Sequence, residues 1–273
     1  MRHRRACGAG LFIMRESLPL KIWRVVYPAF LLTAVYLAVY FLAILAYSGI
    51  FSSSFDGLDQ FMGSAGDVVS VAALLAGAVI AYLIYKKDYV VPANEFLKSP
   101  KFIISVIAVG MLASHGLGLL VSFVNLGGIL GQYSQTAQML SASGVAITVI
   151  KTVILAPLAE ELAFRGLVFR RLKEYLNFPA AMLISSAAFA IYHLNLLQGV
   201  YAFVFGLLLC LVYKRFNNLI APMVMHAGAN ALSVILQCSG LSYASYVTAA
   251  AVMAVTLLAG AAIYIFAIRR RQI

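Results

Sequence analysis

Two adjacent glutamates and an arginine stand in an otherwise apolar stretch of the chain, L-A-E-E-L-A-F-R at residues 158–165. A charge at the centre of a bilayer costs about 2.5–3.5 kcal/mol even on a lenient insertion scale. Glu161 and Arg165 are four residues apart, so a helix places them on one face, where they can pair. Glu160 points about 100° away and has no such local partner. A function must therefore explain this carboxylate.

Three further polar groups lie in apolar segments downstream of Glu160. His193 ends the run F-A-I-Y-H, with Phe189 one turn before it on the same helical face. His226 and Asn230, in H-A-G-A-N, are four residues apart, so an imidazole and an amide lie side by side. At 1.5 Å per residue, Glu160, His193 and His226 lie about 12–21 Å from the helix ends that adjoin the basic loops, so these groups can meet at a similar depth. We therefore predict that they share one site.

These residue types favour hydrolysis by an activated water molecule. A carboxylate and an imidazole that share a water form a general-base pair. A neighbouring imidazole and amide can donate to the oxyanion of a tetrahedral intermediate, where one donor contributes about 2.7–4 kcal/mol. Glu160, His193 and His226 could also supply three ligands to zinc, the number usual at a catalytic zinc site. The residues alone leave both the metal-free and the zinc interpretation open.

The composition identifies the environment of these groups. Of the 273 residues, 63% are hydrophobic and 11% charged, and the mean hydropathy of +0.96 is typical of an integral membrane protein. The net charge of +11 does not indicate nucleic-acid binding, because the basic residues fall in short clusters between long apolar runs. Cys7, Cys210 and Cys238 lack the spacing of a disulfide framework or a zinc knuckle.

Runs of roughly 20 apolar residues predict helices that cross a bilayer. The predicted fold is all-α, a polytopic transmembrane helical bundle with about eight spanning helices. The predicted spans are 23–50, 68–86, 102–124, 144–170, 179–197, 198–213, 218–238 and 243–268. Almost no loop joins 179–197 to 198–213, so two full spans and a re-entrant or tilted arrangement both stay open there.

The basic residues predict the orientation of the bundle. All Lys and Arg except Lys151 and Arg165 lie in alternate loops or near the termini, whereas the intervening loops contain Asp56, Asp59 and Asp67. Because short cytoplasmic loops are rich in Lys and Arg, both termini are predicted to be cytoplasmic. The active site is expected to open toward the cytoplasmic side. Lys151 lies near the outer helix end, where it can snorkel, and we assign it no role.

We interpret the chain as one membrane domain without internal repeats. Its parts are a basic cytoplasmic N-terminal segment, the first transmembrane helices, the catalytic helices, and a last helix with a basic tail, at 1–22, 23–143, 144–240 and 241–273. Met14 could itself be a start residue, so residues 1–13 need not belong to the native chain.

The three motifs together resemble those of a known family. E-E-x-x-x-R, F-x-x-x-H and H-x-x-x-N occur in order as E-E-L-A-F-R (160–165), F-A-I-Y-H (189–193) and H-A-G-A-N (226–230). This set is similar to that of the CPBP family (CAAX protease and bacteriocin-processing, formerly Abi). These are intramembrane glutamic endopeptidases related to the Rce1-type prenyl proteases. The resemblance covers roughly residues 145–235, and no motif position departs from the pattern.

The resemblance implies an intramembrane endopeptidase, a hydrolase that cuts near the C-terminus of a membrane-associated or prenylated protein or peptide. It implies that Glu160 and His193 activate the catalytic water, while His226 and Asn230 form the oxyanion site. An Asn beside His226 suits an oxyanion donor better than a metal ligand. No cofactor is therefore expected, and zinc stays an alternative.

By the same resemblance, three other residues support the site. Glu161 and Arg165 would orient the helix and hold Glu160 in place, and Phe189 would pack beside His193. The expected partners are a peptide or membrane-anchored protein substrate and the lipid bilayer, with no nucleic acid and no identifiable partner protein. The expected location is the bacterial cytoplasmic membrane.

Two other functions stay open. A non-catalytic bacteriocin-immunity or membrane scaffold protein would keep the fold and tolerate Glu160→Gln. A proton-coupled transporter or channel would use the intramembrane Glu and His as a proton relay, but the sequence shows no inverted repeat or paired broken helices. The identity of the substrate, whether it is prenylated, and the oligomeric state stay open as well.

Overall fold

The computed structural model of the chain describes residues 17–51, 55–89, 95–124, 144–239 and 245–269. Within these ranges the secondary structure is helical and contains no strand, which confirms the all-α fold class. The helices are α1 (Leu18–Phe51), α2 (Phe55–Asp88), α3 (Pro100–Val124), α4 (145–175), α5 (Phe178–Tyr192), α6 (Leu196–Phe216), α7 (Ile220–Ser239) and α8 (Tyr246–Ile263). A 3₁₀ turn, Glu95–Lys98, precedes α3, and a π-helical turn, Tyr264–Arg269, continues α8.

Six helices in the described part of the chain are long and apolar enough to cross a membrane, which confirms a polytopic helical membrane protein. The six stretches are Leu18–Ser48, Ala65–Asp88, Pro100–Val121, Leu196–Phe216, Ile220–Ser239 and Val247–Ile268. Helix α5 has only 15 residues, about 22 Å against a hydrocarbon core of about 30 Å. The count of eight spans and the cytoplasmic placement of both termini stay predictions.

Helix α4 changes its winding four times along its length. Its α-helical pieces alternate with two π-helical stretches, Val149–Leu155 and Leu162–Phe169. Glu160 and Glu161 end the α-helical piece Ala156–Glu161 that separates the two stretches. In a π stretch the backbone N–H bonds to the carbonyl five residues back, and such stretches frequently occur at functional sites.

Two helices approach each other closely beside the motif residues of α7. A Cβ atom on Gly110 of α3 would lie 2.2 Å from the backbone carbonyl oxygen of Met225 in α7. A Cβ atom on Gly228 of α7 would lie 3.2 Å from the carbonyl oxygen of Ile107 in α3. Small residues permit such backbone contact between membrane helices. The α3–α7 contact therefore fixes the position of the helix that carries His226.

One end of every described helix lies at the same end of the bundle, which we call the basic end. Contacts between basic side chains and neighbouring groups join the helix ends there. Arg171 near the end of α4 donates to the carbonyl oxygen of Arg24 in α1 at 2.5 Å and to Asp88 of α2 at 2.6 Å. Arg215 at the end of α6 donates to the carbonyl oxygen of Ile268, past α8, at 2.6 Å.

The remaining helices also reach the basic end. Phe102 at the start of α3 packs against Phe216, with ring centroids 5.3 Å apart. Lys214 lies 4.1 Å from the ring centroid of Phe178, the first residue of α5. Helix α7 starts at Ile220, shortly after the end of α6. The helices therefore alternate in direction along the described chain, and each has one end here.

Candidate active site

The four side chains predicted to be catalytic line one cavity of about 290 Å³. Glu160 comes from α4, His193 follows the last residue of α5, and His226 and Asn230 come from α7. The sequence predicted that these groups share one site, and the packing of α4, α5 and α7 brings them to one cavity. The structure brings the four groups together, and their catalytic roles stay a prediction.

His226 is held by the second glutamate of the pair. Its Nδ1 lies 3.0 Å from Oε1 of Glu161, and the same oxygen accepts a hydrogen bond from Nη1 of Arg165 at 2.9 Å. Glu161 and Arg165 are completely buried. Because an ionised carboxylate only accepts, Nδ1 of His226 must carry a proton and donate it. The other nitrogen, Nε2, then faces Oε2 of Glu160 at 3.9 Å.

Arg165 also supports the two imidazoles through Phe189. Its guanidinium carbon lies 4.4 Å from the centroid of the Phe189 ring, and Nη2 lies 3.3 Å from the carbonyl oxygen of Gly206. The Phe189 ring meets His193 edge-to-face at 4.8 Å and His226 at 5.9 Å. The predicted contact of Phe189 with His193 is therefore present, and the same ring also touches His226.

His193 is oriented by the backbone of its own helix. Its Nδ1 lies 2.8 Å from the carbonyl oxygen of Phe189. A carbonyl oxygen cannot donate, so Nδ1 carries the proton and Nε2 of a neutral ring is left as an acceptor. The next residue, Leu194, has a left-handed backbone with φ of 52°, which turns the chain sharply toward Asn195. Asn195 then caps α6 by accepting from the backbone N–H of Gln198 at 3.0 Å.

Asn230 is oriented by a backbone carbonyl that the first π stretch leaves free. Its Nδ2 donates to the carbonyl oxygen of Thr152 at 2.7 Å. The N–H of Ala156 bonds to the carbonyl of Lys151, five residues back. The next donor in that pattern would be residue 157, but Pro157 has no N–H. The Thr152 carbonyl therefore has no donor within α4 and accepts from the Asn230 amide.

The sequence missed several residues of this region. Lys151, which we expected to snorkel without a role, has its Nζ 2.5 Å from Oδ1 of Asp67 and so joins α4 to α2. Phe205 of α6 packs edge-to-face against His226 with ring centroids 5.8 Å apart. Pairs of this kind become adjacent only through tertiary packing. Pro157 was visible in the sequence, but its effect depends on the π winding.

The polar lining offers no cluster of metal ligands. Among the residues that the structure describes, no three His, Cys, Asp or Glu side chains converge closely enough to hold a metal ion. Nδ1 of His226 already faces Glu161, and Nδ1 of His193 faces a backbone carbonyl. Chelation, described below, tests the zinc alternative.

The cavity has a closed floor and an open mouth. Glu160 at the floor exposes 12% of its side chain, and every residue from Leu162 to Phe169, between the floor and the basic end, is buried. The lining continues the other way, to Thr148 of α4 and Gln237 of α7. It therefore extends away from the basic end, and the opening toward the cytoplasmic side stays a prediction.

The comparisons with known proteins agree with the three motifs. Residues 142–232, which contain all of them, match the family described as Type II CAAX prenyl endopeptidase Rce1-like. This part of the chain is therefore similar to the Rce1-type family. It is 27% identical over 214 residues, 74% of this chain and 86% of the relative, to a Bacillus subtilis (strain 168) protein named "Putative membrane peptidase YdiL". No solved structure matches the chain.

The match and the Bacillus subtilis relative support a membrane protease and agree with the apolar helices of the chain. The matched range spans α4 to α7 and so includes every helix that contributes to the cavity. Helices α1 to α3 and α8 lie outside it and hold these four helices in place.

Proposed function

We propose that this membrane protease is an intramembrane glutamic endopeptidase in which Glu160 and His193 activate a water molecule for attack on a peptide bond. The contrast between the two adjacent glutamates carries this proposal. Glu161 is buried between Arg165 and His226. Glu160 accepts no hydrogen bond from the described part of the chain, and its carboxylate lines the cavity with both imidazoles. A partly exposed, uncommitted carboxylate is free to bind water.

The reaction needs one proton to move twice. Glu160 takes a proton from water while the water oxygen bonds to the carbonyl carbon of the substrate, and Nε2 of His193 accepts a hydrogen bond from the other water hydrogen. When the tetrahedral intermediate collapses, the carbon–nitrogen bond breaks and Glu160 returns its proton to the leaving nitrogen. The products are a carboxyl group and an amine, and no covalent enzyme intermediate forms.

His226 and Asn230 are the groups we assign to the oxyanion. Nδ1 of His226 faces Glu161 and Nε2 faces the cavity beside Glu160, so a second proton on the ring would place a donor at Nε2. Asn230 uses one amide hydrogen on Thr152 and keeps a second for the substrate. Each donor would contribute about 2.7–4 kcal/mol to the transition state.

The substrate we propose is a polypeptide associated with the membrane, cut near its C-terminus. The support for a prenylated substrate is the family description alone. A peptide bacteriocin or the anchored end of a membrane protein has the same chemistry at the scissile bond. The substrate must therefore be found by experiment.

The test compares wild type with Glu160→Gln in detergent, on a quenched fluorescent peptide library with membrane-like C-terminal tails. Glu174→Gln is the matched control, because Glu174 is exposed near the basic end and accepts from Tyr89. We expect Glu160→Gln to lower kcat at least about 10³-fold, while Glu174→Gln stays active. A strong zinc chelator should leave the wild-type rate of cleavage unchanged. Loss of cleavage on chelation would assign Glu160, His193 and His226 to a metal site.

Two results would contradict the proposal. Cleavage by Glu160→Gln at the wild-type rate would remove the carboxylate from the reaction. If wild type cuts no peptide and Glu160→Gln keeps full function in cells, the scaffold or immunity interpretation is favoured instead.

A further inference from the structure

We infer that the substrate reaches the cavity from the non-cytoplasmic side of the membrane, as an extended segment next to the membrane anchor of a polypeptide. This inference deepens the proposed function and rests on it for the reaction only. The direction of access follows from the shape of the cavity and the distribution of charge, which do not depend on catalysis.

The first observation is that the cavity is closed toward the basic end. Glu160 is followed by nine consecutive buried residues, 161–169. Phe189 and Phe205 are buried beside His226 and close the floor laterally. A peptide cannot pass this packed layer without unfolding the centre of the bundle.

The second observation is the direction in which the polar lining continues. From Glu160 the lining runs along α4 to Thr148, and from His226 it runs along α7 to Ser233 and Gln237. Ser233 is exposed, whereas His226 is buried. The distance along α4 from Glu160 to Thr148 is about 18 Å at 1.5 Å per residue. The cavity therefore opens at the ends of the helices opposite to the basic end.

The third observation is the sign of charge at the two ends. Short loops rich in Lys and Arg remain in the cytoplasm during membrane insertion. Lys and Arg residues in the described ranges lie at the basic end, apart from buried Arg165 and from Lys151, which is paired with Asp67. The basic end is therefore cytoplasmic, and the mouth of the cavity faces the opposite side.

The short helix α5 opens the mouth sideways as well. It starts at the basic end and is about 22 Å long, so its last turn stops about 8 Å short of the far edge of a 30 Å core. The turn after it displays Leu194, which is 88% exposed. Its backbone N–H bonds to the carbonyl of Ile191 at 3.1 Å, as a lipid-exposed turn requires. A segment anchored in lipid can therefore enter over this turn.

The depth of the floor limits what can be cut. An extended chain spans about 3.3 Å per residue, so a substrate needs about six unfolded residues to reach Glu160 from the level of Thr148. A folded domain joined by a shorter spacer would meet the mouth before its scissile bond reached the floor. The substrate class is therefore a membrane-anchored polypeptide with a flexible stretch on its non-cytoplasmic side.

Thiol labelling in cells tests the direction of access. Cys7, Cys210 and Cys238 are replaced by Ala, and one cysteine is introduced as Ser233→Cys at the mouth or as Lys173→Cys at the basic end, where both native residues are exposed. A membrane-impermeant sulfonated maleimide is applied to intact spheroplasts and to opened membranes. We expect Ser233→Cys to react at least tenfold faster than Lys173→Cys in spheroplasts, and the two to react alike once membranes are opened.

The native Cys238 gives a second probe without a new residue at the mouth. It is exposed in the last turn of α7, next to Gln237, and is kept while Cys7 and Cys210 are replaced. Labelling of Cys238 and Ser233→Cys only from the cytoplasmic side, or from neither side, overturns the inference. Because labelling needs no turnover, this result is separate from a failure of the proposed function.

Discussion

Glu160 and Glu161 are neighbours in the chain but occupy unlike surroundings. Glu161 points into the bundle, where Arg165 and His226 share one of its oxygens. Glu160 points into the cavity. Helical geometry alone predicted this separation and the Glu161–Arg165 pair, because residues four apart share a face and adjacent residues do not. The contact of Glu161 with His226, 65 residues away, required the packed structure.

The first prediction at this scale separates the two glutamates by stability. Glu161→Gln leaves the buried guanidinium of Arg165 without its counter-charge, which we expect to cost on the order of 3–5 kcal/mol. Glu160→Gln removes a partly exposed carboxylate and should change stability little. Thermal unfolding of both variants in detergent measures the difference. Equal unfolding midpoints would show that the Glu161–Arg165 pair does not stabilise the fold as described.

At the level of single elements, the winding of α4 affects the hydrogen bonds of the cavity residues more than its amphipathicity does. The apolar run predicted a helix, but the pattern of apolar residues does not distinguish i→i−4 from i→i−5 hydrogen bonding. The π stretch and Pro157 together leave the Thr152 carbonyl to Asn230. A proline inside a predicted span is therefore a positioning residue in this structure.

The second prediction concerns Pro157→Ala. The new N–H can bond the Thr152 carbonyl within α4 and compete with Asn230, so the amide should lose its orientation. We expect kcat to fall about 10- to 100-fold with little change in KM. Pro28→Ala, inside α1, is the matched control and should leave kcat unchanged.

A double variant distinguishes this role from general damage to the helix. If Pro157 acts through Asn230, adding Pro157→Ala to Asn230→Ala should cause no further loss, because the effects of residues that share a partner, here the Thr152 carbonyl, are not additive. Two losses that multiply would contradict the link between Pro157 and the amide.

The third prediction tests the contact between α3 and α7. Gly110→Ala places a Cβ atom 2.2 Å from the Met225 carbonyl oxygen, so α7 must move. We expect a stability loss of about 1–3 kcal/mol and reduced cleavage, because α7 carries His226 and Asn230. Gly118→Ala lies in the same helix with nothing within 4 Å of the new Cβ atom. Unfolding midpoints and kcat that match between the two variants would contradict the close packing.

At the scale of the whole molecule, the charge distribution has two consequences. It predicts the orientation of the bundle in the membrane, and its contacts join the first two helices to the helices that line the cavity. Arg171 is the centre of these contacts, since it is nearly completely buried and bonds to groups of both α1 and α2. The helices outside the matched range thus stabilise the site without contributing to the cavity.

The fourth prediction follows from this arrangement. Arg171→Ala leaves Asp88 without this partner and removes the contact to α1, so the unfolding midpoint should fall by an amount that corresponds to about 3–5 kcal/mol. The kcat of the folded protein should stay within about twofold, because Arg171 lies outside the cavity. Lys173→Ala, an exposed neighbour, is the control. A large loss of kcat without loss of stability would contradict a purely structural role.

Local physical rules on the sequence determined the all-α membrane class of the protein and its approximate helices, and they predicted the residues of the site. Apolar runs of membrane length, expensive intramembrane charges and four-residue spacings are all properties of one segment at a time. For this reason the four cavity residues, the Glu161–Arg165 pair and the contact of Phe189 with His193 were all predicted before the fold was known.

Tertiary packing alone decided which groups orient those residues and in which direction the cavity extends. The hydrogen bond from His226 to Glu161, the capture of the Thr152 carbonyl by Asn230 and the pair of Lys151 with Asp67 each join separate helices. The closed floor at 161–169 and the short α5 set the direction in which the cavity extends, away from the basic end. Spacing along one helix contains no information about which neighbour fills the space beside it, and that neighbour determines the hydrogen bonds of each group and the shape of the cavity.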